Sequence, residues 1–187
     1  MKNKLLIALL LTASVLFGQK SEIKNDPGYV DFGNLSVFDQ GDMVAEVLIE
    51  DHLLRMVAKM MKQQDPELYD MLNGLKLIKV NAFDANEKNK KEIIEIINKV
   101  DAQLIDKGWD RIVKVRDRKE RAYIYIRTQN EDDILGLVVM AIGDDNEAAF
   151  VNIVGKINLE TIGRLSEKFD IPELDKVNSK EKVSENK

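Results

Sequence analysis

No cysteine occurs among the 187 residues, so the chain can form neither a disulfide nor a bacterial lipid anchor on a cysteine thiol. Whatever compartment it occupies, a hydrophobic core has to hold it together, and roughly 150 residues are ample for one core. There is a single histidine, His52, beside Glu50 and Asp51. It has no Ser or Cys nucleophile nearby in a recognisable motif, and reads as an ordinary helix-end residue. A basic surplus is also missing. The formal net charge of −5 argues against generic nucleic-acid binding.

The first apolar run is the longest, and nothing after it reaches membrane length. "MKNKLLIALLLTASVLFGQK" begins with Lys2 and Lys4, continues through an apolar stretch from Leu5 to Phe17, and closes on Gly18–Gln19. That is the grammar of a secretory signal, with residues 1–18 as the signal peptide and cleavage after Gly18. Leu16 is larger than the small residue usually preferred near such a site. Losing Lys2 and Lys4 takes the formal charge from −5 to −7. Residues 19–27 are polar and read as a flexible lead-in. Residues 173–187 are rich in Lys, Glu, Ser and Asn and cannot bury enough surface to offset ordering, so they read as a disordered polar tail. Between them, 28–172 is expected to be one domain.

Within that domain the hydrophobic period switches repeatedly. "MVAEVLIE" (43–50) alternates as a strand, and Leu53, Leu54, Val57, Met60 and Met61 then mark one face of a helix. "DPELYDMLNG" (65–74) has Asp65 as N-cap, Pro66 at the first helical position and Gly74 as a stop. "LKLIKVNAF" (75–83) is a strand. Ile93, Ile97, Val100 and Leu104 define a longer helix between Asn86 and Gly108, where glycine accommodates the left-handed turn. Four strands follow at 109–116, 121–127, 134–142 and 147–154. The last two are apolar on both sides and belong at the sheet centre. A final helix is expected from Asn158, carrying Leu159, Ile162, Leu165 and Phe169. The order gives an α+β fold: a single domain with a mostly antiparallel sheet of about five or six strands and helices packed on one face.

Candidate chemistry is sparse. Gly155–Lys156 lacks the glycine and the hydroxyl of a phosphate-binding loop and reads as the place where a strand bends out of the sheet. The acidic stretches "QNEDD" (129–133) and "GDDNE" (143–147) do not match a calcium loop and read as hairpin turns. No catalytic, cofactor-binding or metal-ligating residue is assigned, and no cofactor is expected. One constellation does suggest recognition. If Arg118–Lys119 form a two-residue turn, Arg116 faces Arg121, Lys114 faces Tyr123 and Ile112 faces Tyr125. Alternation then puts Lys114, Arg116, Arg121, Tyr123, Tyr125 and Arg127 on one face, with Val113, Val115, Ala122, Ile124 and Ile126 facing the core. Arginine opposite arginine is costly without an anion, so this face is the candidate binding surface for a protein or anionic partner.

Several segments together are similar to the exported bacterial domain-of-unknown-function family 4252. They are "GYVDFG" (28–33), "LLRMVAK" (53–59), "DPEL" (65–68), "GW" (108–109) and, above all, "GLVVMAIGDDNEAAFVNIVGKINLETIGRL" (136–165). The resemblance spans roughly residues 28–172. It implies a small secreted or envelope protein of Gram-negative bacteria with no assigned activity and no functional residues to carry over. Many relatives look like lipoproteins, whereas the absence of cysteine here points to a free periplasmic or secreted state.

The expected function is a non-enzymatic envelope module binding through the 109–127 hairpin. The alternatives are a carboxylate- or metal-dependent hydrolase and a regulatory partner in an envelope-stress or sigma-factor system. Oligomeric state is open at this level. N-terminal mass analysis of the exported protein should find Gln19 at the front; an intact Met1 there would contradict cleavage.

Overall fold

The computed structural model describes residues 23–38, 44–117, 120–130 and 133–157. The signal segment, the helix expected from Asn158 and the polar tail lie outside the described residues. Strands β1 (Val44–Glu50), β2 (Leu75–Asp84), β3 (Asp110–Arg116), β4 (Arg121–Thr128), β5 (Ile134–Ile142) and β6 (Glu147–Ile157) follow the expected order. Helices α1 (Asp51–Met61) and α2 (Pro66–Gly74) separate β1 from β2, and α3 (Lys90–Asp106) separates β2 from β3. The six strands make one sheet in the order β1-β2-β6-β5-β4-β3, and every neighbouring pair is antiparallel. The chain is a single α+β domain, with the two-sided apolar strands β5 and β6 at the centre.

Local chemistry explains the helix boundaries. The Asp65 carboxylate accepts the Leu68 backbone N–H at 2.9 Å, and Pro66 opens α2 where no amide is needed. All four expected apolar positions of α3 are buried, and Gly108 ends it with φ +75°.

Alternation divides the sheet side chains into two cores. Phe83, Tyr123, Tyr125, Val138, Met140 and Phe150 face α3 and pack with its Ile93, Ile97, Val100 and Leu104. Ile78, Ile124, Leu137, Val139 and Ile153 face the other way, where Leu54 of α1 and Met71 and Leu72 of α2 join them. The helices therefore flank both faces of the sheet, which corrects the one-face arrangement expected from sequence. The reason is the two-sided apolar character of β4, β5 and β6: each face carries a surface that water would penalise.

A strap from the N-terminal side completes the α3 face. Residues 23–27, expected to be flexible, are held: Ile23–Asn25 form a 3-10 turn and the Asp26 carboxylate pairs with Lys76 at 2.7 Å. Val30, Phe32, Leu35 and Phe38 then enter the core, with Phe32 edge-on to Phe150 at 5.4 Å and Phe38 stacked on Phe83 at 4.9 Å. The strap crosses the sheet where glycine meets glycine. A Cβ on Gly136 would stand 2.6 Å from the Gly28 Cα and 2.8 Å from the Trp109 ring. Buried Asn152 fastens the crossing: its Oδ1 accepts the Val30 N–H at 2.9 Å and its Nδ2 donates to the carbonyls of Gly28 and Leu137.

Two local expectations change. β6 does not end at Val154; it runs to Ile157, and Gly155 (φ +134°) stays within the sheet beside a register shift, opposite Leu75. A Cβ there would collide with the Gly74 carbonyl and come within 2.7 Å of the Leu75 Cα, so the glycine permits close backbone approach rather than an exit. Trp109 is buried on the α3 side, whereas Val113 joins the opposite core. A bulge between Arg111 and Val113 inserts one residue and reverses the alternation.

Asn152→Ala would strip the Val30 amide of its acceptor while removing two donated bonds. It should cost about 2–4 kcal/mol, because each orphaned buried group costs about 1–3 kcal/mol. Urea unfolding checks this, and a change within about half a kcal/mol would show the clamp to be dispensable.

Candidate functional site

The register of the β3–β4 hairpin matches the expectation at its tip: Arg116 is opposite Arg121 and Lys114 opposite Tyr123. Beyond the bulge it departs, because Arg111 and not Ile112 stands opposite Tyr125. The six expected residues Lys114, Arg116, Arg121, Tyr123, Tyr125 and Arg127 do not make one open surface. Tyr123 and Tyr125 are 0% exposed, roofed by α3 and Trp109. The face expected to meet solvent is one of the two cores, so the tyrosines supply packing and not contact area. The charged residues survive at its edge. Lys114 and Arg116 are exposed, Arg121 is half-buried, and the Lys114 ammonium lies 5.6 Å from the Tyr123 ring centre.

Two members of this region act on α3. The Arg127 guanidinium donates to the backbone carbonyls of Lys107, at 2.8 Å, and Gly108, just past the last turn of the helix. A cation there satisfies orphan carbonyls and complements the negative end of the helix dipole. Upstream on the same helix, Asp101 Oδ1 accepts from Arg111 at 2.6 Å and from the Tyr125 hydroxyl at 2.5 Å. Burial, and then the hydrogen bond to Asp101, push the Tyr125 phenol well above its ordinary value of 10.0. A phenol held neutral in this way is a poor base; Asp101, Arg111 and Tyr125 form a tie between helix and sheet.

The remaining candidates are structural or open. In the turn between β5 and β6, the Asp145 carboxylate accepts the Glu147 N–H at 3.0 Å and Asn146 takes φ 63°, which is hairpin chemistry. Glu131 and Asp132 of the other acidic stretch lie outside the described residues. His52 is exposed on α1. Among the described residues no group of three or more His, Asp or Glu is placed to hold a metal ion. A groove of about 380 Å³ runs between the strap and α3, with Val30, Phe32, Val100 and Leu104 below and Lys99, Gln103 and Lys107 along the helix rim.

One surface went unread in the sequence. Of the apolar α1 residues, Leu54 and Ala58 are buried, whereas Leu53, Met56, Val57 and Met60 are 45%, 49%, 42% and 67% exposed. Their spacing of i, i+3, i+4 and i+7 makes one continuous stripe. Val47 and Leu48 of edge strand β1 are also exposed, and Val47 points to the face on which α1 lies. The signal was present as an apolar arc too wide for a single contact, extending past Leu54 and Ala58.

The fold and its surfaces thus define a small α+β antiparallel-sheet domain with an exposed apolar corner. The chain belongs to the family described as a domain of unknown function (DUF4252), which matches residues 38–165. No curated protein matches the chain, and no solved structure matches it.

Tyr125→Phe should destabilise the fold by about 1.5–3 kcal/mol at neutral pH, the usual worth of a hydrogen bond to a charged group. Because the folded phenol ionises later than the unfolded one, wild-type stability from this group is full below pH 10.0 and declines as pH rises beyond it. The variant should lose part of that alkaline decline. Urea melts at neutral pH and above the ordinary phenol value check both effects.

Proposed function

We propose that the chain is an exported, non-enzymatic envelope module that binds a protein, and that the binding surface is the β1–α1 corner. The observation that carries this reading is the stripe Leu53, Met56, Val57 and Met60, left open on a helix whose other apolar side is already against the sheet. Single exposed apolar residues are ordinary, but a continuous stripe flanked by Val47 is the kind of patch that marks an interaction site. Two of its four residues are methionine, whose flexible thioether adapts to a partner surface. Export rests on the Lys2/Lys4 and Leu5–Phe17 pattern.

The hairpin supports a second, narrower reading, an anionic partner at Lys114, Arg116 and Arg121. Arg116 and Arg121 stand opposite one another, and among the described residues neither makes an ion pair. The hydrolase and the stress-regulator readings have no comparable observation in their favour.

Two double variants separate the surfaces. Met56→Glu with Met60→Glu, and Arg116→Glu with Arg121→Glu, should each leave the circular dichroism of the folded domain unchanged, because none of the four side chains is buried. In affinity capture from the envelope, the methionine pair should lose the bound protein and the arginine pair should keep it. The reverse pattern would assign function to the hairpin, and retention by both would refute the two surfaces together.

A further inference from the structure

We infer that the partner at this corner is a second copy of the chain, joined β1 to β1 in antiparallel fashion so that the two sheets become one. The inference rests on the protein-binding reading above and names its partner. The two edges of the sheet are unequal. β3 carries Arg111, Lys114 and Arg116 along an edge broken by a bulge, both of which discourage pairing with another strand. β1 pairs with β2 in unbroken register from Val44–Phe83 to Glu50–Leu77, and among the described residues its outer side has no neighbour in the sheet. Exposed Val47 and Leu48 stand at its middle. Glu46 and Glu50 are exposed on it as well, but a regular edge with apolar residues at its middle is a ready template for a further strand.

The β1 sequence is compatible with itself. The register that pairs all seven residues puts Val47 on a twofold axis, with Glu46 opposite Leu48 and Glu50 opposite Val44. No carboxylate lies directly across from another, the arrangement that costs most in a sheet. The axis is perpendicular to the sheet, so the two α1 helices lie on the same face. α1 stands over β1 and β2, while α2 packs on its flank and reaches inward to β6. Lys62, the residue that follows α1 and keeps helical backbone angles, lies over Tyr69 of α2, on the side of the helix away from the exposed stripe. The stripe therefore faces away from α2. With strands about 4.8 Å apart and α1 roughly half a spacing inboard of β1, the two α1 axes come about 10 Å apart. Packed helices sit 8–10 Å apart, so the same rotation that joins the edges brings the two stripes together.

A chain without cysteine allows a direct test. Val47→Cys in the exported protein should give a covalent dimer on mild oxidation, because directly opposed Cβ atoms lie about 4.5–5.5 Å apart. Ile112→Cys, exposed on the other edge, should not. By sedimentation the unmodified protein should run as a dimer and the Met56→Glu/Met60→Glu variant as a monomer, with unchanged circular dichroism. A monomeric wild type at its highest soluble concentration, or crosslinking from Ile112→Cys but not Val47→Cys, would overturn the inference. If wild type is monomeric yet the methionine variant still loses a captured protein, the corner binds another chain and only the self-pairing falls. If the methionine variant changes neither mass nor capture, the protein-binding reading falls with it.

Discussion

Asn152 lies under the point where the strap crosses the sheet, and its amide holds three backbone groups from two segments far apart in sequence. A buried amide of this kind is unfavourable unless all its partners are present, and here they come from Gly28, Val30 and Leu137. The crossing is possible only because Gly28 and Gly136 have no side chains to separate the two backbones. Close approach in turn lets Val30, Phe32, Leu35 and Phe38 reach the core beneath. The strap, Trp109 and α3 then close one face of the sheet together, and the aromatic packing of Phe32, Phe83 and Phe150 follows from that closure.

α3 is fastened by more than its apolar stripe. Ile93, Ile97, Val100 and Leu104 supply non-directional burial, which leaves the helix free to slide along the sheet. Directional contacts remove that freedom. Asp101 binds Arg111, near the start of β3, and Tyr125 beside it on β4, and Arg127 holds the carbonyls at the helix end. Arg111, Tyr125 and Arg127 of the hairpin are thus consumed in positioning a helix, while Lys114, Arg116 and Arg121 stay at the sheet edge. That explains their alternation on one face as well as recognition does.

The opposite face is less complete at its β1 side. α1 buries Leu54 against the sheet and Ala58 beside it, and α2 occupies its inner flank. The rest of its apolar arc stays in water beside an edge strand without charge at its centre. The other edge has both a bulge and three basic residues. A protein with one blunted edge and one open edge has a direction in which it can be extended, and the exposed helix stripe lies on that side.

Periodicity alone determined the elements: their order, the capping of α2 by Asp65, the four buried positions of α3, the centrality of β5 and β6, and the hairpin register at Arg116 and Arg121. These depend on neighbours within a few residues, where spacing translates directly into direction. The family was legible too, and the segments at 53–59, 65–68, 108–109 and 136–165 that carried the resemblance lie within the matched residues 38–165. Tertiary structure decided which face each helix covers, and with it the fate of the candidate site. Tyr123 and Tyr125 alternate with Ile124 in either case; only the placement of α3 buries them. The bulge near Ile112 could not be read from alternation, since one inserted residue leaves composition unchanged and reverses every side chain beyond it. Nor does the apolar face of α1 show in sequence which of its residues stay open. An apolar side chain carries no mark of whether a neighbour exists, and that neighbour is supplied by residues distant in the chain.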